Sequence, residues 1–240
     1  MRLATAVLAL TLTTLGLAGN AEATVIASTT FDGRTVVGNT ASGLNWTVNG
    51  VADPGALTAS HGLFDSTADA KNLFAVQRNL LTAPPTNGGP WTVDVALKVG
   101  SSAIQLSLVT LDAYIFSNSG NFQTTSRDLD LKIDLLAFAS STPPIATRFA
   151  NDIYPNNGTI TPALPASAPS VTFDLTGNTL AANTNYILRL TASKNSEFGN
   201  NAGIDNLVIN GSIVPEPTSM TIWGLGLMAV CGYGWRRRRA

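Results

Sequence analysis

Few residues of this chain can do chemistry, and their spacing narrows what that chemistry would be. A hydrolytic triad needs histidine as its base, and the 240 residues hold one, His61, in Ala59-Ser60-His61-Gly62. No Gly-x-Ser-x-Gly elbow accompanies it, so the expectation is a loop histidine without catalytic partners. Zinc chemistry fails on similar grounds, because it takes several His or Cys ligands, and the one cysteine, Cys231, lies inside an apolar run. A glycosidase needs two carboxylates in a cleft roughly 5 to 9.5 Å apart. No motif supplies such a pair, and Glu197 falls in a loop. The chain is expected not to be an enzyme.

Three other groupings suggest binding. Asp128, Asp130 and Asp134 alternate around Lys132. On a strand they would share one face, expected to be solvated, with a calcium or sugar site as the functional alternative. Asp32, in Phe31-Asp32-Gly33, closes the first expected strand, and Asp205, in Gly203-Ile204-Asp205-Asn206, opens the last. Together they could give hard oxygen ligands to Ca2+, with loop carbonyls completing the shell; a turn cap through Asp205 or Asn206 is the plainer alternative. Tyr114, Phe116, Phe122 and Tyr154 lie near loops and are the candidate sugar platforms. Trp46 and Trp91 alternate with apolar neighbours and are expected in the core.

The elements that must position these groups are strands. Thr, Ser, Asn, Gly and Ala dominate the body while Lys and Glu are scarce, a composition poor in helix formers. Apolar–polar alternation predicts strands at Val25–Phe31, Leu44–Gly50, Leu73–Val76, Trp91–Val99, Ile104–Leu111, Leu129–Phe138, Val171–Leu175, Tyr186–Ala192 and Ile204–Ile213. Trp91 to Val99 is the clearest, with odd positions apolar; Ile104, Leu106 and Leu108 repeat the pattern. Period-2 strands with one polar face imply antiparallel sheets packed on each other, so the fold expected is an all-β antiparallel sandwich of jelly-roll or lectin-like type. Thr82–Pro90 and Pro155–Pro169 read as surface loops of this single domain.

Both ends carry handling signals. Met1 to Ala23 has Arg2, an apolar stretch from Leu3 to Leu17 and the small-x-small ending Ala21-Glu22-Ala23, which predicts a signal peptide helix over 1–23 cleaved after Ala23. At the other end, Val214-Pro215-Glu216-Pro217 precedes the uncharged run Thr218–Trp235 and the block Arg236, Arg237, Arg238, Arg239. Eighteen such residues make a helix of roughly 27 Å, about one hydrocarbon thickness. Trp223 and Trp235 suit the two interfaces, and the arginines hold the C-terminus in the cytoplasm. Pro215 and Pro217 keep the approach extended. A permanent single-span anchor is the alternative to removal.

The exported body, 24–213, has no cysteine and so no internal disulfide. Without Arg2, the four C-terminal arginines, Glu22 and Glu216 it holds 9 basic and 13 acidic residues, a net −4. It has no basic stripe, and nucleic acid is not an expected partner.

The order Pro-Glu-Pro, apolar helix, arginine cluster over 214–240 resembles the PEP-CTERM sorting signal of Gram-negative bacteria. The resemblance implies recognition of Pro215-Glu216-Pro217 by an exosortase, removal of the helix, transient residence in the inner membrane, and delivery to the cell surface or extracellular matrix. It also implies association with exopolysaccharide and biofilm; a purely structural surface protein is the alternative, and a polysaccharide-active enzyme a less favoured one. More weakly, Gly203-Ile204-Asp205-Asn206-Leu207-Val208-Ile209 resembles the closing strand of jelly-roll carbohydrate-binding and exported lectin-like domains.

Overall fold

The computed structural model describes residues 23–65, 72–77, 90–116, 119–122, 129–138, 143–154, 168–193 and 201–214, with Gly224, Gly226 and Met228 in the tail. In chain order the strands are β1 (Thr24–Thr29), β2 (Thr35–Val37), β3 (Thr40–Ser42), β4 (Thr47–Val48), β5 (Leu57–Thr58), β6 (Phe74–Val76) and β7 (Trp91–Lys98). They continue as β8 (Ala103–Phe116), β9 (Leu129–Ala137), β10 (Ala146–Tyr154), β11 (Ser170–Asp174), β12 (Thr179–Leu180), β13 (Asn185–Ser193) and β14 (Asn201–Val214). Every pairing among them is antiparallel.

The larger sheet runs β11-β8-β14-β1-β4, with β12 added to β8 and β6 to β14; the second runs β10-β9-β13-β7. Strands β2, β3 and β5 form a small third sheet. Trp91, Val93, Val95 and Leu97 are buried and their even neighbours are not, as the period-2 pattern predicts. They meet Leu131, Ile133, Leu135, Leu188 and Leu190 of their own sheet, and Ile26, Ile104, Leu106, Val109, Leu111, Phe173 and Ile209 of the larger one, in a single core. Two antiparallel layers therefore close over one apolar interior, the arrangement that buries one face of each.

The 14-residue strands β8 and β14 are not regular. Between Asp205 and Val208 the register slips by an extra residue in β14, and between Ile209 and Gly211 by an extra residue in β8. The two slips cancel. The buried positions of β8 change phase accordingly, from Ile104 and Leu106 to Val109, Leu111 and Ala113. Leu108, expected to point inward, sits in the bulge and is 39% exposed.

Beyond Leu111, where the expected strand ends, β8 continues through Ala113–Phe116 and is buried on both faces. Ala113 and Ile115 join the main core, while Tyr114 and Phe116 join Phe64, Leu73 and Ala75 in a second, smaller cluster on the opposite face. The expected strand Leu44–Gly50 reduces to Thr47–Val48, with Val48 37% exposed and Trp46 half-buried, its indole N–H donating to the Gly55 carbonyl at 2.9 Å. Sequence alternation did not predict β10, because its inward positions Ala146, Arg148 and Ala150 are small or charged and its outward Phe149 is 66% exposed.

Close backbone approach fixes two glycines of β14. A Cβ at Gly211 would lie 2.7 Å from the Gln105 carbonyl oxygen and 3.1 Å from Ile26 Cγ1; at Gly203 it would lie 2.8 Å from Phe116 Cε2. At Gly62 the nearest atom would be 3.9 Å away. We expect Gly211→Ala to destabilise by about 2 kcal/mol or more through overpacking against backbone, with Gly203→Ala less costly and Gly62→Ala near neutral. Urea unfolding of the three variants checks this; equal midpoints for Gly211→Ala and Gly62→Ala would contradict the packing argument.

Candidate functional site

Two loci concentrate functional groups. The first lies where β14 changes partner. On one edge β14 pairs with β1 from Leu207 to Gly211 and with β6 from Ala202 to Ile204, leaving Asp205 and Asn206 between them. Asn206 occupies the left-handed region (φ 49°), a conformation asparagine tolerates. Its backbone N–H donates to Asp205 Oδ1 at 2.8 Å, and its side-chain Nδ2 donates to Asp112 Oδ2 at 2.7 Å on β8. Asp112 is the register partner of Asp205. Asp32 arrives because β1 ends at Thr29, paired to Leu207, and the chain turns there. Phe31 also has positive φ (58°), and its buried ring packs 5.6 Å from that of Phe74. Thr30 Oγ1 donates to Asp32 Oδ2 at 2.9 Å.

The structure thus brings Asp32 and Asp205 into one electrostatic group with Asp112, whose membership the sequence did not reveal. Burial first, and then the charges of Asp32 and Asp112, push Asp205 up to about 6, against the pull of the Asn206 N–H. Burial, with the charges of Asp205 and Asp112, pushes the Tyr114 phenol up to about 12. Among the described residues no group of three or more His, Cys, Asp or Glu is arranged to hold a metal ion.

The second locus is the outer face of the second sheet. The register aligns Thr147, Asp134, Arg189 and Asp94 in one row across all four strands. Thr147 Oγ1 donates to Asp134 Oδ1 at 2.7 Å, and Lys132 Nζ lies 2.7 Å from Asp134 Oδ2. Arg189 grips Asp94 with two bonds, Nε to Oδ1 at 2.7 Å and an Nη to Oδ2 at 2.8 Å. That bidentate bond, opposed by partial burial, raises the guanidinium above its usual value. Phe149, opposite Lys132 in the next row, shares this face. Phe138 and Ile145 near its β9–β10 edge are 60% and 51% exposed.

This corrects the expectation of a freely solvated carboxylate row. Asp130 and Asp134 are 7% and 5% exposed. Asp130 Oδ1 accepts the Asp152 N–H at 2.7 Å, where β10 bulges and Asp152 takes a φ of 54°. A buried carboxylate with a paired cation or a backbone donor is a satisfied one. Asp128 lies outside the described residues.

The sugar-platform expectation is corrected for two residues. Tyr114 and Phe116 are 0% and 2% exposed, and Phe122, half-buried, stacks on them at 5.3 and 5.2 Å. Tyr114 and Phe116 are core because β8 runs five residues further than alternation implied. Tyr154 ends β10, and its side chain lies outside the description. The exposed aromatics of the described residues are Phe138 and Phe149, which sequence reasoning missed. Phe149 carried a signal only in reverse, as an aromatic alternating with alanine and arginine.

His61 Nδ1 and Ser60 Oγ lie 2.9 Å apart, but Ser60 Oγ also accepts the Thr92 N–H at 2.9 Å. The serine ties its loop to the β7 edge, and no carboxylate among the described residues hydrogen-bonds the imidazole. Ala23 precedes β1; Ala21, Pro215, Glu216, Pro217, Trp223, Trp235, Arg236, Arg237, Arg238 and Arg239 lie outside the described residues. No helix among the described residues is long and apolar enough to cross a membrane.

Residues 214–239 match the PEP-CTERM protein-sorting motif. The chain is therefore a β-rich protein carrying an exosortase sorting signal, which implies export, membrane-associated sorting and processing by an exosortase. No curated protein matches this chain. Similar solved structures include the enzymatically active domain of bacteriophage CBA120 tailspike protein 4, at 9% identity, 80% of this chain, 19% of that chain and TM-score 0.33. Infectious bursal disease virus strain Gx gives 11% identity, 70% and 35% coverage and TM-score 0.32. The mosquito-larvicidal Cry4Aa toxin of Bacillus thuringiensis gives 13%, 72%, 27% and 0.32. This chain spans about a fifth to a third of those chains. Likenesses at these scores carry no argument about function.

Asp205 has a pH consequence. Between about pH 4, where an unfolded aspartate loses its proton, and about 6, the folded state alone holds it. The folded state binds more protons there, so stability falls as pH rises through that window and stays lower above it. Discounted for solvent screening of a half-exposed group, the effect is about 1 kcal/mol. Asp205→Asn keeps an oxygen for the Asn206 N–H, and we expect its Tm at pH 7.5 to rise by about 2–4 °C. Its slope between pH 4 and 6 should flatten; a wild-type slope with no gain at pH 7.5 would sink this account.

Proposed function

We propose that the exported domain is a non-catalytic β-sandwich of jelly-roll or lectin-like type that associates with neutral polysaccharide at the surface or matrix of a Gram-negative bacterium, and that both end signals are removed. The observation that supports it is the outer face of the second sheet. Its charges pair with one another, Arg189 with Asp94 and Lys132 with Asp134, so the row is close to neutral. A polyanion or polycation would have to break those pairs. Hydroxyls need not, because each carboxylate and guanidinium keeps spare acceptor or donor capacity. Phe149, two positions along from Thr147, offers an apolar platform for the C–H face of a sugar ring.

Aromatic contact of this kind contributes about 1 kcal/mol, so Phe149→Ala should weaken binding of a neutral glycan about five-fold. Glycan-array screening of the purified body, followed by titration of any hit with both proteins, measures this. Clean absence of binding by wild type would leave a purely structural surface protein. Turnover of the same glycans would instead favour an enzyme.

Calcium between Asp32 and Asp205 is a second reading, supported by the burial of Asp205 beside the charges of Asp32 and Asp112, which together lift it. A bound cation stabilises by mass action, so millimolar calcium should raise the Tm over that in EDTA, and Asp32→Asn should remove the difference. An unchanged midpoint would end the calcium reading.

A further inference from the structure

The last strand of the domain and the sorting signal share sequence. β14 remains paired with β8 to its end, Ser212 with Gln105, Ile213 with Ile104 and Val214 with Ala103. The sorting motif begins at residue 214, and Pro215 follows with no linker. Pro217 therefore lies three residues from a hydrogen-bonded strand residue, at most about 10 Å of chain. Proteases act on backbone that is accessible and free of competing hydrogen bonds, and a membrane protease must draw an extended segment into its own site. The paired end of β14 competes for that segment.

The competition is finely placed. From Thr24 inward β1 flanks β14, but its pairing stops at Gly211. Among the described residues, Ser212–Val214 pair with β8 alone, and burial falls along them to 38% exposure at Val214. Ile213 is half-buried, with its side chain close to Gly50. Such a one-sided terminus opens locally at far less cost than the core. Upstream, Gly211 and Ile209 are locked on both sides, so opening stops there.

We infer that Ser212–Val214 act as a release segment: exosortase processes the folded protein through a minor state in which these residues leave β8, and the strand end thereby sets the processing rate. The rate tracks the population of the open end when opening is fast relative to cleavage. Folded domain and sorting signal are then coupled, and a more firmly closed sheet is sorted more slowly.

The test uses the full chain in cells that contain its exosortase, with processing followed by pulse-chase. The body has no cysteine, so Gln105→Cys with Ser212→Cys, a register pair, can lock the end through one disulfide. The expected result is processing slowed at least ten-fold and restored by reductant. Inserting eight Gly/Ser residues between Val214 and Pro215 should speed the unlocked chain several-fold and rescue the locked one. Processing of the locked chain at the wild-type rate overturns the inference, as does a locked chain that the insertion fails to rescue. If the disulfide fails to form or the locked chain fails to fold, the insertion alone decides: no acceleration overturns it. The inference rests on the sorting assignment, and the two fail differently, since a wild-type chain that is never shortened refutes both.

Discussion

The pairing of β14 with β8 is the constraint on which the rest depends. Each is a 14-residue strand, and one long ladder joins them at the centre of the larger sheet. Strands this long accumulate twist and cannot stay regular while one face remains on a core. The two offsetting bulges relieve that conflict. One expels Leu108 on β8; the other expels Asn206 on β14. Between them Val109 and Ile209 stay buried, and beyond each bulge the apolar set moves to the opposite sequence parity. Glycine at 211 lets the ladder close against Gln105 where the second slip occurs.

The acidic group is a by-product of the same geometry. A bulge leaves a residue without ladder partners, and asparagine satisfies it with its own amide on Asp112. The hand-over from β1 to β6 opens the edge there and admits Asp32. Asp205 is then part-buried among the charges of Asp32 and Asp112, and burial and those charges push it up to about 6; Asp205 and Asp112 also act on the buried Tyr114. Tyr114, on which Asp205 and Asp112 act, belongs with Phe116 to the smaller core.

Legibility followed the number of faces a strand must satisfy. β7 packs one face only, and every position from Trp91 to Leu97 could be read from alternation. β14 was legible as a strand, and its bulge is visible in hindsight: apolar residues fall at 202 and 204, then at 207 and 209, so parity breaks at Asp205-Asn206. The end of β8 misled, because Ala113–Phe116 is apolar on both faces, and a run without alternation says only that something covers both sides. β10 was illegible. An edge strand needs little apolar content, and its Arg148 reaches past the core to the Asp174 carbonyl of β11. The tail was plain in sequence because sorting signals are read as linear order, with no fold required.

That last contrast bears on how such a protein evolves. A linear signal can be appended to any exported domain only if the domain's final element tolerates the join. Here the join is a proline directly after a central strand, which ends the ladder cleanly because Pro215 has no N–H to donate. A central strand is the most constrained place to attach a signal that must be pulled away, since unzipping it would expose the core. Among the described residues only Ser212–Val214 lie beyond the β1 pairing, so their release would leave Ile209 and Gly211 paired on both sides. Most of the sheet's cohesion thus rests on the doubly paired part of β14, while the signal adjoins its singly paired end.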